Sequence, residues 1–411
     1  MPLLARIVGV LLLACAPVAA QDLAGHGGPV NALAAGPGTL VSGGFDGRAI
    51  VWDTQADTAR RIERFHDGNI TAVALVTGGF VSAGQDGRVA YWRDGQKGPH
   101  FATPPGMSPV SALTTSGNVV VAGYFDGSLL RLDLTTNRVV TQAAHDGRVS
   151  GLAFLSDGAL VSVGADLRFA RWSADGTLEA RAGLPDLPNS MTRAGEVLAV
   201  VFAEGALRML SRDGDLLPER FLTDRPLVAV AATTDTVAAA AVDGTVWLLD
   251  LPTLSSRAQI MGSTGPVWAL AMHGDALFSA GGDGIIRRWS AQDGTAVGDD
   301  TLPMSDAAPD DSRGAQVYRA CAVCHSLSPD DHSRAGPSLH GIFGRRIASV
   351  KGYAFSPALT GMDIVWTPET VAELFTLGPD AYTPGSRMPD QRVTDPTDRQ
   401  ALVEFLARNS Q

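Results

Sequence analysis

Short β-rich stretches separated by turn residues run through residues 22–300. In the first unit these stretches cover residues 30–35, 39–42 and 48–52. This spacing predicts small antiparallel sheets. The dipeptide Asp46-Gly47 lies between the second and third stretches and predicts a tight hairpin turn, because glycine adopts a positive φ without steric cost.

The same unit occurs seven times. An acidic residue occupies the predicted turn of each unit at intervals of 38 to 40 residues, and tryptophan or leucine follows it six positions later. The turn acids are Asp46, Asp86, Asp126, Asp166, Glu204, Asp243 and Asp283. Regular repetition at about 40 residues is typical of stacked supersecondary units. Seven units predict an all-β, seven-bladed propeller, a ring in which exposed strand edges are largely removed.

Three of the units, the first, second and fourth, share a tetrad of serine, histidine, aspartate and tryptophan. In the first unit its members are His26, Ser42, Asp46 and Trp52. Hydrogen bonds among the four would satisfy polar groups that are costly to bury. The pairs Gly25-His26 and Trp52-Asp53 resemble the signature of the WD-repeat family, which implies a recognition module. We therefore interpret these histidines and turn acids as architectural and not as ligands or catalytic groups.

The N-terminus predicts a secretory signal peptide. Arg6 precedes an apolar run over residues 7–14, and small residues lead up to Ala20. Cleavage after Ala20 would export the mature protein, so we expect a periplasmic location. The segment ending at Cys15 also resembles a bacterial lipoprotein box, and lipidation of Cys15 would instead tether the protein to a membrane.

Acidic residues are concentrated in the repeat region. Residues 21–312 carry 21 basic and 33 acidic side chains, whereas the chain from Arg313 onward carries ten of each. This excess of negative charge argues against a nucleic acid or an anionic membrane surface as partner. We expect a protein partner instead.

These patterns predict that the chain is divided into four segments. An acidic, proline-containing and aperiodic stretch separates the repeats from a C-terminal region that ends in a predicted helix over residues 398–408. The predicted segments are a signal peptide (1–20), the propeller (21–300), a linker (301–312) and a second domain (313–411).

The second domain contains the sequence Cys321-Ala322-Val323-Cys324-His325, a C-x-x-C-H motif. This motif is the attachment signature of a c-type haem, in which two thiols form thioethers to the haem and the histidine binds the iron. A zinc site would need further cysteine or histidine ligands in a second cluster, and no other cysteine follows Cys15. We therefore predict one covalently attached haem per chain.

The whole second domain resembles the class I cytochromes c of the mitochondrial and bacterial c2 types, which implies an all-α fold. The resemblance rests on the stretches at residues 314–318, 336–345 and 382–388. It implies that the carbonyl of Pro337 accepts a hydrogen bond from the proximal histidine. It also implies that Arg345 and Trp366 contact a haem propionate.

The last of these stretches also supplies a predicted sixth iron ligand. Met388 lies 63 residues after His325, in a loop that resembles the ligand loop of the family. The alternatives are Met362, Met304, His332 and His340. Phe355 and Phe375 stand where relatives often carry tyrosines, so the family's reduction potential is not transferred to this chain.

The predicted ligand set determines the expected function. A haem whose axial positions are filled by His325 and Met388 leaves no open iron site for a substrate. We therefore expect a one-electron carrier and not an enzyme, with the propeller docking a redox protein partner in the periplasm. Two alternatives stay open, a redox enzyme with an active site in the propeller and a haem-containing scaffold or sensor.

Overall fold

The computed structural model describes residues 22–106, 108–297, 312–329, 331, 334–353, 355–386, 388 and 392–410. The predicted signal peptide with Cys15, and residues 301–311 of the predicted linker, lie outside the described residues. Strands occupy the first part of the chain, up to Ser290, and helices occupy the part that begins at Arg313.

The strands form seven four-stranded antiparallel sheets, one for each predicted blade. The strands are β1 (Leu23–Ala24), β2 (Val30–Gly36), β3 (Thr39–Gly44), β4 (Arg48–Asp53), β5 (Thr58–Arg64), β6 (Ile70–Val76), β7 (Gly79–Gly84), β8 (Val89–Arg93), β9 (Phe101–Ala102), β10 (Val110–Ser116), β11 (Val119–Tyr124), β12 (Ser128–Asp133), β13 (Arg138–Ala143), β14 (Val149–Phe154), β15 (Leu160–Gly164), β16 (Arg168–Trp172), β17 (Leu178–Gly183), β18 (Pro188–Ala194), β19 (Val197–Phe202), β20 (Ala206–Leu210), β21 (Leu216–Phe221), β22 (Leu227–Ala232), β23 (Thr236–Ala241), β24 (Thr245–Asp250), β25 (Ser256–Met261), β26 (Val267–His273), β27 (Ala276–Gly281) and β28 (Ile285–Ser290). Six sheets are β2–β5, β6–β9, β10–β13, β14–β17, β18–β21 and β22–β25. The first strands of neighbouring blades contact each other around the ring, including β26 with β2. The prediction of a seven-bladed propeller is confirmed.

The seventh blade is closed by the N-terminus of the propeller. Its sheet contains β26, β27 and β28 of the last repeat, and β1 pairs antiparallel with β28, with Leu23 opposite Ile286. Leu23 is buried in a core that includes Trp52 of the first blade and Phe278 of the seventh. The first and last repeats are therefore joined by backbone hydrogen bonds and by a shared core, a closure that the repeat spacing did not predict.

The predicted tetrads are confirmed in all three units. In the first blade, the Trp52 indole N–H donates to Ser42 Oγ at 2.8 Å. Ser42 Oγ lies 2.7 Å from His26 Nε2, and His26 Nδ1 lies 3.1 Å from Asp46 Oδ1. The second and fourth blades repeat this chain of contacts with distances of 2.8 to 3.0 Å.

The predicted hairpin turns also form. Gly47 follows the first turn acid and has a φ of +70°, and the Arg48 N–H donates to Asp46 Oδ1 at 3.1 Å. In the fourth unit Leu167 takes the place of glycine and adopts a φ of +60°. Because a side chain at positive φ is sterically strained, this blade keeps its turn at a conformational cost.

The C-terminal part contains α1 (Arg313–Ala322), α2 (Pro357–Thr360), α3 (Pro368–Leu377), α4 (Pro379–Tyr382) and α5 (Pro396–Asn409). Helices α1 and α5 pack together, and the rings of Tyr318 and Phe405 lie 5.1 Å apart. Leu402 and Leu406 are buried on the same face of α5 as Phe405, as the helical spacing predicted. Within the described ranges, no helix is long and apolar enough to cross a membrane.

Candidate haem site

The C-x-x-C-H motif lies at the end of α1. Ser312 caps the start of this helix by accepting a hydrogen bond from the Ala315 N–H at 3.3 Å. At the other end, the N–H groups of Cys324 and His325 both donate to the Cys321 carbonyl, at 3.1 and 2.9 Å. The helical turn therefore holds the two thiols and the imidazole close together.

Burial raises the pKa of both thiols. Burial and the neighbouring Cys324 raise the pKa of Cys321 to about 12. Burial and the negative charge of Asp46 raise the pKa of Cys324 to about 12. The second effect is notable because Asp46 belongs to the first blade of the propeller, so the two parts of the chain approach each other at this cysteine.

A carbonyl group orients the imidazole of His325. His325 Nδ1 lies 2.8 Å from the Pro337 carbonyl oxygen, which only accepts hydrogen bonds, so Nδ1 carries the proton. This tautomer leaves the lone pair on Nε2, the atom that a metal would use. Burial lowers the pKa of His325, and the ring is therefore neutral at neutral pH, as a metal ligand must be.

A glycine makes room for this ring. A Cβ atom on Gly336 would lie 2.6 Å from His325 Nδ1, closer than side-chain contacts allow. The Tyr318 hydroxyl donates to the His325 carbonyl at 3.0 Å and fixes the backbone on the other side. The resemblance over residues 336–345 did not imply this role for Gly336. The close approach of the imidazole explains why this position has no side chain.

The motif faces a cavity of about 460 Å³. Cys321, Cys324, His325 and Met388 all line this cavity, and so do Pro337, Arg345 and Trp366. The structure therefore brings all seven predicted site residues together around one cavity. Among the described residues, Met362 and His340 are not part of the cavity wall, and the alternatives Met304 and His332 lie outside the described ranges.

Arg345 and Trp366 support one side of the cavity. The Arg345 guanidinium donates to the carbonyls of Ser338 and His340 at 2.8 and 2.7 Å, and burial lowers its pKa. The backbones of Arg345 and Trp366 are joined by a hydrogen bond of 2.9 Å from the Trp366 N–H. Arg345 therefore holds the loop that contains Pro337 and brings a positive charge to the cavity.

Propeller residues also form part of the cavity wall. The turns of the first and second blades contribute residues 45–47 and 64–69, and the neighbouring residues 27–28 contact the haem-motif region directly. We call residues 27–28, 45–47 and 64–69 the blade 1–2 lip. Sequence reasoning missed this surface, because no local pattern indicates which blade lies against the second domain.

These residues fit a c-type haem. Cavities of 300 to 1,000 Å³ are typical of cofactor sites. Apolar side chains, including Leu339, Val371 and Leu374, line most of the cavity, and a neutral imidazole and a thioether provide the ligand types of low-spin haem proteins. Two thiols at the spacing required for thioether bonds complete the set. The fold and the site together define a multidomain protein with a β-propeller and a site of the cytochrome type.

Comparisons with known proteins agree with both halves of this description. The family model "WD domain, G-beta repeat" matches residues 18–53. Cytochrome c of Cochliobolus lunatus is 35% identical over 102 residues, which is 25% of this chain and 94% of that protein. Cytochrome c of Arabidopsis thaliana is 37% identical, with coverage of 24% and 87%, and cytochrome c2 of Blastochloris viridis is 36% identical, with coverage of 24% and 78%. The chain belongs to the cytochrome c family over about a quarter of its length.

One similarity to a solved structure concerns the fold alone. The crystal structure of the computationally designed protein Ika8 aligns with a TM-score of 0.54 and 23% sequence identity. The alignment covers 66% of this chain and 99% of the designed protein. At this identity the match carries no information about function.

Proposed function

We propose that this chain is an exported one-electron carrier with an all-α class I cytochrome c domain at its C-terminus. Cys321 and Cys324 would hold one c-type haem covalently, and His325 and Met388 would be its axial ligands. When bound, the haem supplies a one-electron couple between ferrous and ferric iron. The membership in the cytochrome c family and the shared cavity wall of these four residues support the proposal.

The observation that carries the proposal is the orientation of His325. Its proton lies on Nδ1 against the Pro337 carbonyl at 2.8 Å, its Nε2 lone pair is available, and its ring borders the cavity that Met388 also lines. A thioether ligand favours the reduced state and raises the potential. If His325 and Met388 both held the iron, they would leave no open position for a substrate, and the site would serve electron exchange.

We propose that the propeller recognises the redox partner. Its acidic surplus suits a partner with a basic surface, because complementary charges speed association and keep the haem near the partner. Raising the ionic strength screens exposed charges, so association with this partner should slow as salt increases. Equal rates at low and high salt would contradict a docking role for the acidic propeller.

Export is a separate part of the proposal. The N-terminal residue of the mature protein, determined by mass spectrometry, should be Gln21 if the signal peptide is cleaved after Ala20. A lipid-modified Cys15 as first residue would show instead that the protein is anchored to a membrane. An uncleaved N-terminus would contradict export through this signal.

The ligand assignment is tested with Met388→Ala and the matched control Met362→Ala. Met388 lines the cavity and Met362 does not. Both variants therefore remove a methionine side chain, the first within the proposed site and the second outside it. Met388→Ala should lower the reduction potential and allow the ferrous protein to bind carbon monoxide. Met362→Ala should leave both properties unchanged. Parental spectra and potential in Met388→Ala would exclude Met388 as the ligand.

A further inference from the structure

The propeller contacts the cytochrome domain at the haem-attachment segment. The Ala335 N–H donates to the Gly27 carbonyl at 2.6 Å. A Cβ atom on Gly28 would lie 2.8 Å from Ala335 Cβ and 3.6 Å from Cys324 Sγ. A side chain at position 28 would therefore collide with Ala335 and reach van der Waals contact with the cysteine sulfur that would carry the second thioether.

The remaining parts of the blade 1–2 lip extend this contact. Phe45 and Asp46 from the first blade, and Phe65 and His66 from the second, line the same cavity as Cys324 and Met388. Arg88 lies with its guanidinium carbon 5.2 Å from the centre of the Phe65 ring. The lip thus contributes two phenylalanine rings to the wall of the cavity that Cys324 also lines.

The tetrad of the first blade holds this lip in position. The Asp46 carboxylate accepts hydrogen bonds from the Gly27 N–H at 2.8 Å and from the Arg48 N–H at 3.1 Å. Burial opposes the ionisation of Asp46, but its hydrogen bonds and the contact with His26 outweigh burial and lower its pKa. A charged carboxylate therefore fixes the short segment that meets Ala335 and Cys324.

We infer that Gly28 and the blade 1–2 lip seal the side of the haem held by Cys324, and that the propeller thereby raises the haem's reduction potential. The inference rests on the proposed function, since it requires a haem at Cys324. Water stabilises the ferric state, which carries one more positive charge than the ferrous state, and excluding water therefore favours the reduced form. Gly28 is a positioning residue in this scheme, because it allows the close approach and touches no iron ligand.

The structure offers a matched control for Gly28. Gly28 in the first blade and Gly265 in the seventh occupy equivalent positions of their repeats, because each lies 18 residues before the turn acid of its unit, Asp46 or Asp283. A Cβ atom on Gly265 would have no neighbour closer than Gly282 Cα at 4.0 Å. The substitutions Gly28→Leu and Gly265→Leu therefore add the same side chain at equivalent positions, and only the first places a Cβ within 4 Å of the second domain.

The experiment compares these two full-length variants with the parent protein by redox titration and by hydrogen exchange of the Ala335 amide. Gly28→Leu should speed exchange at Ala335 and lower the midpoint potential, with about a threefold or larger change in the ferrous-to-ferric ratio at a fixed ambient potential. Gly265→Leu should change neither quantity. If Gly28→Leu does not fold, Ala335→Leu adds uncharged bulk to the same contact from the other side and should have the same effects.

The outcomes separate this inference from the proposed function. Faster exchange at Ala335 with an unchanged potential would overturn the inference, because the lip would then be a contact without influence on the haem. Unchanged exchange of the residue 335 amide in both Gly28→Leu and Ala335→Leu would overturn it as well. A parent protein without covalent haem would overturn the proposed function, whereas the exchange measurement would still report whether the two domains meet.

Discussion

The propeller and the C-terminal domain bury their apolar residues in different ways. Between the fourth and fifth blades, Phe169, Leu198 and Phe202 are fully buried among side chains of the propeller itself. In the C-terminal domain, Tyr318 and Phe405 pack between two helices, but other apolar side chains surround a cavity of about 460 Å³. Apolar side chains around a cavity gain their contacts from the group that fills it. We therefore expect the second domain to depend on a bound haem for stability and the propeller to be stable without one.

The largest effect should come from removing both attachment cysteines. In Cys321→Ser/Cys324→Ser, we expect complete loss of covalent haem and unfolding of the C-terminal helices, because their cavity loses the group that holds them together. The propeller should keep its own unfolding transition. Haem staining after denaturing electrophoresis and circular dichroism measure the two effects. Covalent haem in the double variant would refute the assignment of Cys321 and Cys324 as attachment residues. Stable helices without haem would show that the C-terminal domain, like the propeller, is stable without a cofactor.

The second prediction concerns a substitution that should destabilise the propeller and leave the C-terminal domain unchanged. Leu23→Ala removes a buried side chain from β1, which joins the first and last repeats. We expect the free energy of unfolding of the propeller to fall by about 2–5 kcal/mol, as for other buried leucines. The Soret spectrum of the haem domain should not change. Calorimetry would show the loss, and a parental transition would mean that β1 does not contribute to the ring.

A tetrad variant tests a smaller part of the propeller's stability. Ser162→Ala leaves His145 Nε2 and the Trp172 indole N–H without the hydroxyl that contacts both. The free energy of unfolding should fall by about 1–3 kcal/mol, the usual cost of an unsatisfied buried polar group. The exposed Ser156 is the control, and Ser156→Ala should change stability by less than about 0.5 kcal/mol. Equal effects of the two substitutions in chemical denaturation would exclude a buried hydrogen-bond network.

The smallest expected effect is a pH dependence in the fourth blade. Burial lowers the pKa of His145 below its usual 6.5, although Asp166 and Asp146 oppose this effect and Arg181 adds to it. Below pH 6.5 the unfolded chain therefore binds a proton that the folded chain does not, and stability falls as the pH falls. In His145→Gln, denaturation between pH 7 and pH 5 should show a weaker pH dependence. The same slope as in the parent protein would contradict the lowered pKa.

Much of the propeller was predictable because its information is local and repeated. The turn acid recurs in all seven units, glycine follows it in six of them, and tryptophan or leucine stands six positions after it, so the units are recognised from one another. The closure of the ring was not predictable in this way. It depends on Leu23–Ala24, two residues with no repeat signal, which find their partner at Ile285 and Ile286 through the geometry of the complete ring.

In the candidate haem site, too, some features follow from the local sequence and others only from the tertiary structure. Cys321, Cys324 and His325 lie within one helical turn, so the sequence by itself determined their chemistry and their mutual proximity. The tertiary structure alone decided that Gly336 lies beneath the imidazole and that Gly28 lies against Cys324. Such contacts join residues distant in sequence, and their formation depends on how whole domains pack. No periodicity or local spacing records that packing.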